Sequence, residues 1–162
     1  MTDCGQCKMI ERWEEGDTGG MVLARTTTGY VTLLTTQYFP GHTVFVSRVH
    51  VAELHDLGDK RTTHLDEMAR VSEAVCRTFN PRKLNTAALG NQSPHLHWSI
   101  IPRYENDPAP LKSPWEIDAF WAALASGARD ERAVEIERFE GLFSELRKTG
   151  ITIEREWPSS SD

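Results

Sequence analysis

Alternating apolar and polar positions dominate the first half of the chain. "GMVLART" and "GYVTLLTT" are short β-branched runs with Thr-Thr-Gly at the joint. They predict a hairpin over Met21 to Thr35. "QYFPG" interrupts the alternation, and "HTVFVSR" resumes it as a third strand, His42 to Arg48. From Asp59 the period changes. Leu65, Met68, Ala69, Ser72, Val75, Cys76 and Phe79 recur at helical spacing and mark one face of a long helix. Pro81 ends it, because proline cannot continue the ladder. "KLNTAALGN" supplies a fourth strand and a turn, and "HLHWSII" a fifth.

The second half has a different texture. "ENDPAPLKSP" is a proline-punctuated loop, and Ser113-Pro114 opens a short helix over Trp115 to Leu124. Ile136, Phe139, Phe143 and Leu146 mark a longer amphipathic helix ending near Gly150, and "ITIEREW" reads as a last strand. Strands, helix, strands and then helices predict an α+β fold, an antiparallel sheet with a long helix packed on it and a C-terminal helical extension. With 162 residues, 39% of them hydrophobic, the chain can bury one core without staples. The expected division is a core at residues 1–110, an extension of the same domain at 111–157 and a flexible tail at 158–162.

Charge narrows the function classes. A formal net charge of -6 argues against a broad basic face for extended nucleic acid, but not against a small anionic ligand held by local donors. No apolar run approaches the roughly 20 residues that span a bilayer, and "MTDCGQCKMIERWEEGD" lacks the apolar core of a secretory signal, so the expectation is a cytoplasmic protein without a membrane partner. Of the three cysteines, Cys76 falls in the helical pattern and is expected to be buried. Cys4 and Cys7 flank Gly5 and Gln6 in an expected tight turn that points both sulfurs at one ion, a pattern of metal or redox chemistry.

The chemistry concentrates in "SPHLHWSIIPRY". Positions two apart share a strand face, so His95, His97 and Ser99 project together while Leu96, Trp98 and Ile100 take the packed side. Same-face imidazoles can ligate a metal, or one can act as a nucleophile that forms a covalent intermediate. The preceding "LGNQSP" is a donor-rich turn of the kind that holds phosphate oxygens. A nucleophile beside phosphate donors points toward phosphoryl or nucleotidyl transfer.

"LNTAALGNQSPHLHWSIIPRY" resembles the signature region of the histidine triad (HIT) superfamily, whose motif is His-x-His-x-His followed by apolar residues. "QYFPGHTVFVSRVHVAELHDL" resembles the segment leading into that family's first long helix, and the N-terminal Cys-x-x-Cys resembles its zinc-containing bacterial members. The resemblance spans about Cys4 to Asp107. It implies a fold that binds a nucleotide or dinucleotide and cleaves or transfers at the α-phosphate, with His97 as nucleophile. It also implies a structural zinc held by Cys4, Cys7, His50 and His95, a full tetrahedral set with no open position. Asn85, Asn91 and Ser93 match family positions that contact phosphate oxygens or orient the nucleophile, Asn85 through the second ring nitrogen of His97. His42 resembles a residue that approaches the nucleotide. A homodimer is implied by the resemblance alone. Arg103, Trp13 and Trp98 read as packing residues.

Ser99 departs from the motif. Hydrolytic members have a third histidine there, a proton donor and phosphate contact. Serine can donate one hydrogen bond but cannot act as a general acid near pH 7. Three readings follow. The first is a nucleotidyl transferase, phosphorylase or hydrolase working through His97, with Ser99 in a reduced catalytic role. The second is a nucleotide-binding or regulatory protein with weakened turnover. The third is a metal enzyme in which His95 and His97 hold one catalytic ion.

Overall fold

The computed structural model describes residues 4–19, 21–127 and 136–157, with the side chains of 136–139 outside that description. The expected tail at 158–162 and the apolar roles of Ile136 and Phe139 lie outside the described residues. β1 (Val22–Thr26) and β2 (Gly29–Leu33) form the expected hairpin, and β3 (Thr43–Ser47) follows. The start of β2 needs a glycine because it packs on β3: a Cβ on Gly29 would stand 2.3 Å from the Phe45 ring. Gly41 has a φ of +86°, and a Cβ there would sit 2.6 Å from the Phe79 ring, which explains "FPG" before β3. β4 (Lys83–Ala87), β5 (His97–Arg103) and β6 (Ile153–Glu156) complete one sheet of six strands in the order β4-β5-β3-β2-β1-β6. All five neighbouring pairs are antiparallel. The helices are α1 (Gly5–Glu14), α2 (Arg61–Phe79), α3 (Asp118–Ser126) and α4 (Ile136–Lys148).

The sheet is covered on both sides. Leu23, Val31, Phe45 and Ile100 pack against Val71, Ala74 and Val75 of α2 and Leu142 and Leu146 of α4. On the other side Val22, Tyr30, Val44 and Val46 meet Trp13 of α1, and Phe39 and Ile101 meet Phe120 of α3. The C-terminal third is therefore more than a helical extension, since α4 builds the core and β6 extends the sheet beside β1. Among the described residues no helix is long and apolar enough to cross a membrane.

The face of α2 differs from the one predicted. It buries His64, Glu67, Val71, Ala74 and Val75, whereas Leu65 is 38% exposed and Cys76 is exposed rather than buried. The helix is rotated by about one residue because polar groups occupy its inner face. Trp98 Nε1 donates to His64 Nε2 at 3.2 Å, and His64 Nδ1 pairs with Thr28 Oγ1 at 3.0 Å. The Thr28 hydroxyl donates in turn to Glu67. Glu67 also accepts from Thr26 Oγ1 at 2.9 Å and from the Thr27 and Thr28 backbone N–H groups at 3.0 Å. His64 stacks on Phe45 with ring centroids 4.8 Å apart. Hydropathy cannot register a buried histidine and glutamate whose partners lie in a distant threonine turn.

This network yields a stability prediction. Glu67→Ala removes the acceptor of four donors, three of them buried, and is expected to cost about 3 kcal/mol, read as a lower urea midpoint at unchanged slope. Burial lowers the His64 pKa from 6.5 to about 4. Below pH 6.5 the unfolded chain binds a proton that the folded His64 refuses, so stability falls as pH drops toward 4. His64→Phe is expected to flatten that part of the denaturation profile.

Candidate functional site

Backbone pairing brings the candidate ligands together. β5 begins at His97, so His95 lies in the bend before the strand rather than in the strand as predicted. Leu96 N donates to Val51 O at 2.7 Å, and Leu96 O accepts from Ser47 N at 2.9 Å. These two bonds clamp the segment around His50 against His95, with ring centroids 5.3 Å apart and planes at 77°. Cys4 and Cys7 sit at the cap and in the first turn of α1, a helix where a tight turn was expected. Cys4 Sγ and Cys7 Sγ each lie 3.6 Å from His95 Nδ1, and Cys7 Sγ lies 3.4 Å from His50 Nδ1. All four ligand atoms fall within 4.8 Å of one another. A tetrahedral zinc, with bonds of about 2.3 Å to sulfur and 2.0 Å to nitrogen, would set S···N separations of about 3.5 Å. Two thiols and two imidazoles at these spacings fit such an ion. His95 Nε2 donates to Ser47 O at 2.8 Å, leaving the Nδ1 lone pair toward the thiols. Burial pushes the His95 pKa down, which keeps the ring neutral and able to ligate.

His97 is fixed differently. Its Nδ1 donates to the His95 carbonyl at 2.7 Å, so Nε2 carries the free lone pair. The β3–β5 register sets His97 beside Val46 and Ser99 beside Val44, on the face covered by α1. Asn85, expected to hold the His97 ring, instead accepts from Arg103 Nη1 at 3.0 Å. Arg103 is structural: it is 3% exposed, pairs with Asp107 at 2.7 Å and caps the Phe39 ring. Asn91 and Ser93 lie in the bend before His95, and Ser93 O accepts from His95 N at 2.8 Å. His42 is 2% exposed, and neither ring nitrogen has a partner. Burial lowers its pKa to about 3, and Phe120 of α3 lies 6.0 Å away, so His42 does not lie open to the site as expected of a residue that approaches ligand.

A cavity of about 400 Å³ opens on the same sheet face. Met9 and Trp13 of α1 wall it, with Leu34, Val44 and Val46 among its lining. The far end of α1 is tied down by Glu14, which accepts from Tyr30 Oη at 2.6 Å and pairs with Arg25 at 2.8 Å and Arg155 at 3.2 Å. Sequence reasoning missed α1, although Gln6, Met9, Ile10 and Trp13 recur at helical spacing.

The HIT domain family profile matches residues 26–106. A protein named AP-4-A phosphorylase from Mycobacterium tuberculosis strain H37Rv is 36% identical over 98 residues, covering 56% of this chain and 50% of the relative. The chain thus spans about half the length of the curated relatives it matches. A solved histidine triad protein from Bradyrhizobium japonicum is 26% identical, with a TM-score of 0.61 over 80% of this chain and 89% of that one. A Zn-bound histidine triad family protein from Mycobacterium smegmatis shares the fold at 16% identity, with a TM-score of 0.63 over 91% of this chain and 96% of that one.

The four-ligand geometry predicts one metal ion per chain. His95→Ala is expected to abolish binding and His97→Ala to retain it, as read by metal analysis of purified protein. Chelation of the loaded protein is expected to lower its thermal midpoint, because the start of α1 is then released from the sheet.

Proposed function

Because the chain belongs to the HIT domain family, we propose that it is a nucleotide-processing enzyme that cleaves or transfers at an α-phosphate through a nucleotidyl-His97 intermediate. The observation that carries this reading is the His97 ring, held by Nδ1 on the His95 carbonyl with Nε2 left free beside a cavity-bearing face. Nε2 attacks the α-phosphorus, the new N–P bond forms, and the bond from phosphorus to the leaving oxygen breaks. The Nδ1–H···O=C bond steadies the ring as it gains positive charge. Water, inorganic phosphate or another acceptor then attacks phosphorus, the N–P bond breaks, and its electron pair returns to Nε2.

The bound ion is a structural zinc in this reading. Cys4, Cys7, His50 and His95 saturate it, so it braces the bend that presents His97. Asn91 and Ser93 supply phosphate donors from the same bend. In this reading Asn85 bonds Arg103 rather than the His97 ring, and His42 stays buried beside Phe120. Ser99 donates one hydrogen bond to a phosphoryl oxygen. It has no proton to spare for a basic leaving group, so the favoured substrates release a phosphate-type oxyanion that needs none. A dinucleoside polyphosphate meets that requirement, and the name of the Mycobacterium tuberculosis relative supports it. The homodimer belongs to this reading as a consequence of the resemblance. Weakened turnover, with nucleotide binding retained, is the second reading, and Ser99 is what favours it. A catalytic ion shared by His95 and His97 fits poorly, because His95 Nδ1 faces the thiols while His97 Nδ1 is spent on a carbonyl.

Incubation with a labelled dinucleoside polyphosphate is expected to leave acid-labile nucleotide on His97. His97→Ala is expected to lose the adduct and lower turnover by about 10³-fold or more. Ser99→His is expected to raise hydrolysis by about 10²-fold by restoring a general acid. Binding without adduct or turnover in the unaltered protein would select the second reading.

A further inference from the structure

We propose that the protein carries a second oxyanion site, separate from His97, in which Arg48 and Lys60 hold the phosphoryl group of a small ligand. A cavity of about 360 Å³ lies past the end of α1, with Arg25, Thr27, Tyr30, Arg48, Leu57 and Lys60 in its wall. It shares no described lining residue with the cavity that Met9 and Trp13 enclose. The contact of the Trp13 and Tyr30 rings, 5.5 Å between centroids, stands where the two walls meet. Tyr30 pairs with Val46 and Val46 with His97, so the backbone at Tyr30 is about 10 Å from that at His97.

What the cavity can take depends on which charges are already committed. Arg25 is spent: its Nη1 donates to both Glu14 oxygens, at 2.9 and 2.8 Å, and its Nε lies 3.5 Å from Glu154. Glu14 also accepts from Tyr30 and Arg155. The oxygens of Glu67, next to the Thr27–Thr28 turn, are filled by Thr26, Thr27 and Thr28. Two cations keep donors to give. Arg48 is anchored through Nη1 alone, which donates to Thr27 O at 3.0 Å, Thr26 O at 3.3 Å and Glu154 Oε2 at 2.7 Å. Its Nε and Nη2 bond nothing among the described residues, and that edge of a guanidinium is the fork that grips two oxygens of one anion. Because Nη1 is already fixed, little side-chain freedom is lost when the fork is filled. Lys60 is exposed, and its side chain makes neither a cap bond to α2 nor an ion pair among the described residues. Its ammonium suits a third oxygen. A phosphoryl group has that oxygen, whereas a carboxylate spends both of its own on the fork.

Titration of the metal-loaded full chain with inorganic phosphate, followed through backbone amide resonances, tests this by location. Saturable shifts are expected at Thr27, Arg48 and Lys60, and they are expected to persist in His97→Ala. Lys60→Ala, which removes an exposed side chain without a described partner, is expected to weaken binding there about tenfold, the worth of one charge-assisted hydrogen bond. Arg48→Lys keeps the charge but not the fork and is expected to weaken it by about as much. Acetate is expected to bind about tenfold more weakly than phosphate and to be indifferent to Lys60→Ala. Shifts confined to the surroundings of His97, phosphate affinity unchanged in both variants, or acetate binding as tightly as phosphate each overturns the site. The His97 adduct is a separate measurement, so neither failure carries the other with it.

Discussion

His95 is bonded in three directions, and the arrangement of the site depends on all three. Its Nε2 is held by the Ser47 carbonyl, its Nδ1 faces both thiols of α1, and its own carbonyl takes the Nδ1 proton of His97. One residue therefore joins β3, the first helix and His97. The tautomers follow without further assumption: His95 must present a lone pair at Nδ1, and His97 must present one at Nε2. Burial supports the first of these by holding His95 neutral. His95 and His97 aim their Nδ1 atoms at different partners, the thiols and a backbone oxygen. They share a peptide carbonyl.

α1 turns that junction into a cavity. Ten residues of amphipathic helix are too short to be stable alone in water, so its position has to be imposed by tertiary contacts. At its start Cys4 and Cys7 lie against His50 and His95. At its end Glu14 gathers Tyr30, Arg25 and Arg155. Burial alone would raise the Glu14 pKa, yet the bonds from Tyr30 and Arg25 pull it below its ordinary value, and the same contact together with burial raises Tyr30 to about 12. Held at both ends, the helix keeps Trp13 and Met9 above Val44 and Val46. Loss of an ion held by these four residues would free one end only, loosening the cavity wall while the sheet beneath persists.

Strands and the long helix were legible because their signals are local. The hairpin, β3, β4 and β5 follow from alternation and turn residues, and the end of α2 follows from Asn80-Pro81. The four candidate ligands were legible as one set only through resemblance, since Cys4 and Cys7 lie more than forty residues from His50 and about ninety from His95. What escaped was governed by tertiary pairing. His64 and Glu67 look like solvent-facing positions until Thr26, Thr28 and Trp98 close around them. Asn85 looks like a partner for His97 until Arg103 claims it. His42 reads as a site residue, and the short helix far along the chain then covers it with Phe120. In each case a polar residue is assigned by the partner it finds, and no spacing rule encodes that partner.

Ser99 sharpens the chemical consequence of this polar economy. His42, His64 and His95 are all driven toward the neutral form by burial. Arg103 is committed to Asp107. None of these groups stands ready to protonate a departing oxygen, and serine cannot. In the proposed transfer through His97, the barrier to the first step is then set by how well the leaving group bears negative charge unaided. A phosphate or polyphosphate oxyanion does so readily, while an amine or alkoxide does not. In that proposal a third histidine at position 99 would widen the range of leaving groups, and serine there restricts which P–O bond can break without removing the proposed nucleophile, because the bond that holds the His97 ring does not involve position 99.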